Sequence, residues 1–512
     1  MKLKNLFFKY WYVYLLIFLL SAGIRFYKVT QKTTLYGDEA LSITICAYND
    51  YGWNKFFSDS TAYTGKEIRS ALLFDNERIT NALNDIRKLH LDTRDAPHTN
   101  FYYTLLRLWF AGDKTNDIHH IILKGFWLNF LLFILSFIFY CVLTRKIFKN
   151  DLLILLTLFI AFINPVAIAN TLYLRPYQLQ ETFFIIYSYI FVVYYQKIKQ
   201  HFQIDTWKDL CIISLLTALT LLSGYYSLIF VLLLGIILII LSYKTKQKQN
   251  VIYLLITFCF SLLLTEGLYA KYFDGFIGYK SVEIINNFNK PQSSLEIIKI
   301  FLNSYFRSID QMFLGKYLII ALIALLAAII IFYRKNLKKT DYSILLLATT
   351  ALFWSFIVTF LTPSFHYIMP SFPIITLFIP FLLSYTNRTV QKIGTIIIIP
   401  LMLVNVINNK EFLIGEYTVP ANYLKNTNIP AVFCIDHYWE YDFFLSYFND
   451  ERIFYFPRTE SQYFNYLNQF NDIFVIQSPE YEKKWIIPVN YQILDSFKCN
   501  DWYYGKRLKK IN

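Results

Sequence analysis

Two adjacent carboxylates, Asp38 and Glu39, stand in the stretch Leu35-Tyr36-Gly37-Asp38-Glu39-Ala40, just beyond the first long apolar run. A carboxylate in such a place suits a general base that takes the proton of an attacking hydroxyl as the new bond forms. Glu39 either orients Asp38, helps to ligate a metal ion, or does neither. Arg175 stands at the expected end of another apolar run. A charge is costly there unless it has a use, and the planar guanidinium fork matches phosphate oxygens. Tyr177, two residues on, either meets the same ligand or is one of the tyrosines that collect at membrane interfaces. His98 is a candidate donor to a phosphate or an acceptor group, with a structural hydrogen bond as the plainer reading. Tyr102 is a candidate contact beside Tyr103, with packing as the plainer reading, and His366 and Tyr367 open a late apolar run as candidate pocket residues. Arg307, Lys271 and Lys280 share one polar connection and are further phosphate candidates, unless they form only a solvated face. A base on one side of a carbon and a cation beside a phosphate on the other meet the needs of an in-line displacement.

The elements that must hold these groups are membrane helices. Of 512 residues, 56% are hydrophobic and only 16% charged, whereas soluble chains carry about 25% charged residues. The apolar excess falls in blocks long enough to span a bilayer as helices. The first runs from Tyr10 to Tyr27, read as an uncleaved helix rather than a signal peptide ending near Ser21-Ala22-Gly23. Ten more lie near 121–143, 151–170, 177–195, 209–222, 225–243, 251–270, 315–333, 342–361, 366–385 and 393–408. Alternate short connections are basic, as in Arg145-Lys146, Lys244 to Lys248, and Arg334 to Lys339. Basic connections stay on the cytoplasmic side. Eleven spans then place the N-terminus inside, with Asp38, Glu39, the connection 271–312 and the last hundred residues outside. The net charge of +14 follows from these connections. No basic stripe with base-stacking positions accompanies it, which argues against nucleic acid.

Residues 1–409 thus read as a polytopic α-helical membrane domain with a first outer loop at 28–118. Its stretch Ala71 to Leu91 is amphipathic and suits either a membrane-surface helix or one packed on the protein. Residues 410–512 read as a small α/β domain. Strands are expected at 431–435, 453–456 and 473–476, helices at 439–448 and 461–470, and a closing hairpin at 491–497 and 503–508. No glycine-rich nucleotide fingerprint accompanies the alternation. The six cysteines form no metal-ligand spacing, and Cys434 and Cys499 either pair in an oxidising compartment or remain buried thiols.

Three stretches together resemble the polyprenyl-phosphate-sugar glycosyltransferases of the GT-C superfamily, the branch with the protein O-mannosyltransferases and the aminoarabinose transferases. They are the acidic pair Asp38-Glu39, the segment His98-Thr99-Asn100-Phe101-Tyr102-Tyr103-Thr104-Leu105-Leu106-Arg107-Leu108-Trp109, and Leu174-Arg175-Pro176-Tyr177. His366-Tyr367-Ile368-Met369-Pro370 is similar to a late family segment. Thr99 and Asn100 replace two family prolines, and His366 a family arginine. The resemblance covers roughly residues 30 to 385. It implies an inverting transfer of one sugar from a polyprenyl phosphate to a cell-envelope glycan, lipopolysaccharide or protein, at the outer face of a bacterial inner membrane. Asp38 would be the base and Arg175 the phosphate ligand. Relatives differ in their use of a divalent cation, so a metal stays open. Two other classes compete. A secondary transporter would show repeated halves and interrupted mid-membrane helices, and a membrane-anchored binding protein would use the α/β region as its receptor.

Overall fold

The computed structural model describes residues 11–48, 62–74, 78–91, 98–201, 207–288, 296, 299, 301–303, 305–306, 342–362, 365–408, 420, 423–424, 426–434, 438–500 and 503–511. The candidate Arg307 and the apolar run at 315–333 lie outside the described residues, as does the side chain of Lys280. The chain forms two compact units that are discontinuous in sequence: Met1–Tyr27, Thr93–Tyr102 and Leu128–Leu413 in unit 1, and Lys28–Asp92, Tyr103–Trp127 and Ile414–Asn512 in unit 2.

Unit 1 is helical. Among the described residues the chain has seven helices long and apolar enough to cross a membrane, or eight if one bent pair is a single span. The seven are Trp11–Thr30, Ile118–Ile147, Ser227–Lys244, Lys248–Leu268, Tyr342–Leu361, Phe365–Leu383 and Arg388–Asn408. Each overlaps an apolar run read from the sequence. The bent pair is Asp151–Phe162 with Pro165–Leu172, which meet at 52°. Asn164 and Pro165 make the break: proline has no amide to continue the first helix, while the Asn164 side chain accepts from Ala167 N at 2.8 Å and caps the second. Two expected runs form helices that fall outside that count. Tyr177–Lys199 opens with Gln178, Gln180 and Glu181 in its first turns. Trp207–Leu222 is 16 residues long. Its junction with Ser227–Lys244 is the tight turn expected at Ser223-Gly224, where the Gln180 side chain lies 3.0 Å from where a Cβ on Gly224 would stand.

Unit 2 is built on a six-stranded sheet: β1 (Ala62–Thr64), β2 (Ala431–Cys434), β3 (Ile453–Tyr455), β4 (Asp472–Gln477), β5 (Tyr491–Lys498) and β6 (Tyr504–Lys510). The order across the sheet is β1-β3-β2-β4-β6-β5. β3, β2 and β4 are parallel, with Val432 opposite Tyr455 on one side and Val475 on the other. β5 and β6 form the expected hairpin, with a bulge between Ile493 and Asp495. β1 comes from the first loop and runs antiparallel to β3. One face packs Val432, Cys434, Ile473, Val475 and Leu508 under Tyr463, Leu467 and Trp485. Tyr463 and Leu467 belong to the helix Glu460–Asn468. Cys434 and Cys499 are separate, buried free thiols, and burial pushes both thiols up.

Candidate functional site

Asp38 and Glu39 occupy the first turn of the helix Gly37–Ala47 in unit 2, where negative charge meets the positive end of the helix dipole. Their surroundings differ. Glu39 is fully buried: one carboxylate oxygen pairs with the buried Lys32 ammonium, and the other accepts from Tyr36 N at 2.7 Å. Asp38 is half-buried, and its carbonyl accepts the Ser42 hydroxyl at 3.1 Å. The turn is fixed from outside by Leu35 N, which donates to Ser446 Oγ at 2.8 Å. Glu39 therefore holds the turn on which Asp38 is mounted.

The other described candidates lie in unit 1, and four of them come together. His98 stacks on Tyr367 with ring centres 5.5 Å apart and meets the edge of Tyr177 at 6.3 Å. Tyr177 stacks on His366 at 6.1 Å. Tyr173 extends this chain of rings at the His366 end, and Tyr226 at the Tyr367 end. The rings come from four separate stretches of chain, all at helix ends. His98 precedes Phe101–Trp109, Tyr173 and Tyr177 flank the turn after Pro165–Leu172, Tyr226 precedes Ser227–Lys244, and His366 and Tyr367 begin a 3-10 turn. Arg175 is buried in the turn between Tyr173 and Tyr177.

Tyr102 supports this turn from behind. It is fully buried, and its hydroxyl donates to Asn129 Oδ1 at 3.1 Å. Asn129 in turn donates to the Tyr173 carbonyl. Thr99, beside His98, donates to the Leu222 carbonyl. Such a site offers imidazole and phenol groups, a guanidinium and aromatic faces: donors for an anion and flat surfaces for an apolar or sugar-like group. Among the described residues no three His, Cys, Asp or Glu side chains converge as metal ligands.

One polar group of unit 1 is absent from the candidates read from the sequence. Arg25, on the first span, is fully buried. Its guanidinium donates to Phe162 O at 3.0 Å, at the end of the first half of the bent pair, and to Ala167 O at 2.9 Å, in the first turn of the second half. Glu181, also fully buried, accepts from Asn170 at 2.6 Å and Gln178 at 3.1 Å. The signal was present in the sequence, since an ionisable residue inside an apolar run is rarely idle. Near the ends of such runs, however, it looks the same as an interfacial charge.

No protein-family model matches the chain, and no curated protein sequence does. Among solved structures, the chain is similar to ArnT from Cupriavidus metallidurans bound to undecaprenyl phosphate, with TM-score 0.50 and 9% identity over 96% of this chain and 97% of that one. The same protein in the apo state gives TM-score 0.43 and 10% identity over 85% and 93%. An Archaeoglobus fulgidus oligosaccharyltransferase in complex with zinc and sulfate gives TM-score 0.41 and 10% identity over 87% and 69%. The likeness to the first runs through nearly the whole length of both chains, so the two share a fold.

Proposed function

We propose that the protein is an inverting glycosyltransferase of the multi-pass inner membrane, moving one sugar from a polyprenyl phosphate to a cell-envelope acceptor on the outer face. The observation that carries this reading is the gathering of His98, Tyr177, His366 and Tyr367, from three distant stretches, around the turn that bears Arg175. The overall likeness to a protein solved with undecaprenyl phosphate supports the class of donor.

In this reading Arg175 offsets the charge that develops on the leaving phosphate, and the imidazoles offer it N–H donors. Phosphate departs without protonation, so no acid is needed on that side. Asp38 takes the proton of the attacking hydroxyl, and attack opposite the phosphate inverts the anomeric carbon. Glu39 keeps Asp38 in its helical turn through Lys32 and Tyr36. Residues 1–409 would be the membrane domain, 410–512 the outer α/β domain. A divalent cation is not assigned to these residues, and no step runs through one.

The test is transfer of radiolabelled sugar from a polyprenyl phosphate by the full chain in lipid nanodiscs. Asp38→Asn keeps the shape and removes the base. Transfer should fall by roughly 10²–10⁴-fold, the usual contribution of a positioned base, with unchanged thermal unfolding. Full activity in that variant would remove the mechanism and leave the transporter and binding-protein classes.

A further inference from the structure

A directed chain of hydrogen bonds crosses the base of the turn that bears Arg175. Arg25 Nε donates to Thr171 Oγ1 at 2.9 Å. The Thr171 hydroxyl donates to Gln178 Oε1 at 2.8 Å. Gln178 Nε2 donates to Glu181 Oε1 at 3.1 Å, and Asn170 Nδ2 donates to Glu181 Oε2 at 2.6 Å. Every link from Arg25 to Glu181 runs the same way, from cation to anion. Hydrogen bonds in series polarise one another, most strongly where water is excluded.

Two of these links are rungs. Thr171–Gln178 and Asn170–Glu181 join the end of Pro165–Leu172 to the start of Tyr177–Lys199, so they close the turn 172–177 from beneath. Irregular backbone at membrane depth persists only where its polar groups are satisfied from within the protein. Arg25 serves that need at the break through Phe162 O, donates also to Ala167 O in the helix that follows, and has its guanidinium 4.0 Å above the Phe133 ring. A second donation from Gln178, to Ser136 Oγ at 3.3 Å, ties the rungs to the Ile118–Ile147 helix. Helix packing alone would be met by apolar side chains. A buried cation and anion joined through a single ordered path favour one arrangement of the turn over its alternatives.

We propose that Arg25, Thr171, Gln178 and Glu181 are positioning residues that hold the Arg175 turn in its donor-binding conformation. The proposal rests on the reading of Arg175 as the phosphate ligand. A clamp of this kind acts on binding of the donor, whereas a group that only keeps the protein folded changes the amount of active protein and leaves KM alone.

The experiment compares Thr171→Val, which removes one rung at nearly constant volume, and Glu181→Gln, which removes the anion, in the full chain in nanodiscs. Amide hydrogen exchange is followed over the peptide 171–178, with undecaprenyl-phosphate-linked sugar as donor for kinetics. Exchange in that peptide should quicken by roughly ten- to a hundredfold in Thr171→Val, the scale of the two hydrogen bonds lost with the hydroxyl, while the Ser227–Lys244 helix exchanges as before. KM for the donor should rise with kcat little changed. Native exchange of 171–178 in a folded Thr171→Val variant overturns the proposal, and that variant decides the matter even where Glu181→Gln does not fold. Arg175→Ala separates the two ideas: an unchanged KM there refutes Arg175 as the phosphate ligand, while the exchange result still judges the clamp.

Discussion

Asp38 and Glu39 are neighbours in sequence but differ in depth: Glu39 is fully buried against Lys32, Asp38 half-buried. Glu39 and Lys32 are 0% and 4% exposed, so removing the carboxylate takes the paired anion from a buried ammonium. Breaking one partner of such a buried pair costs about 3–5 kcal/mol. Glu39→Ala should therefore lower the Tm of the purified chain by roughly 3–5 °C on the usual scaling of stability with size, with less folded protein recovered. A Tm for Glu39→Ala equal to that of Asp38→Asn would show that the pair with Lys32 carries no weight. The two roles were not separable in the sequence, because an adjacent Asp-Glu carries no mark of which carboxylate turns inward. The ring chain was more legible. His98, Tyr177, His366 and Tyr367 each sit in a stretch singled out by motif, and the structure brings them together. Arg25 and Glu181 were missed because a lone charge near the edge of an apolar run is read by default as interfacial.

At the scale of elements, apolar periodicity located the long helices well and the interruptions poorly. The run at 151–170 reads as one span, but it is bent by an Asn-Pro pair: Asn164 itself donates to the Ile160 and Ala161 carbonyls, and Arg25 and Ser21, far away in sequence, donate to that of Phe162. The short strand β1 was invisible for a related reason. Three residues carry no alternation pattern, and Ala62–Thr64 is a strand because β3 offers it an edge. The junction between β1 and the helix Gly65–Leu72 shows how tightly that edge is built. Thr64 caps the helix, and its amide and hydroxyl both donate to the Glu67 carboxylate, at 2.7 and 2.8 Å. Gly65 N donates to Arg452 O at 3.1 Å, and a Cβ at Gly65 would stand 1.9 Å from the Asn449 carbonyl oxygen. Gly65→Ala must therefore push backbone apart and lift β1 from β3, which faster exchange at 453–455 would reveal. Native exchange there would mean that the junction yields. Acid should loosen the same junction. The hydrogen bonds from the Thr64 amide and hydroxyl hold the Glu67 carboxyl below its ordinary value of 4.5. A depressed folded-state value contributes stability above the unfolded pKa and loses it as pH falls through the folded one. The effect of Thr64→Ala on exchange in Gly65–Leu72 should thus be larger at neutral pH than well below pH 4.5.

For the molecule as a whole, the boundary near residue 409 marks a change of composition, whereas the sheet of unit 2 crosses it. Segments before the boundary are built into unit 2 by contacts with segments after it. Leu35 N bonds Ser446, the Arg69 guanidinium bonds Phe448 O and pairs with Asp450, and β1 pairs with β3. The helix that carries Asp38 packs against the 3-10 segment Tyr438–Tyr447. Composition could not show this, because it reports what each stretch is made of and is silent on which distant edge completes a sheet. The consequence concerns activity. A chain ending after Leu413 keeps every apolar span but loses the acceptors of Arg69, the partner of β1 and the support of Gly37–Ala47. The remaining 28–92 segment would then expose backbone and side-chain groups that each need a new partner. Such a chain should still insert in the membrane, yet its Arg69, buried in the full chain, should become open to trypsin and its sugar transfer should fall as in Asp38→Asn. Should the shortened chain transfer sugar at the full rate, the acidic turn would have to be self-supporting, and residues 414–512 would be left with a part only in choosing the acceptor.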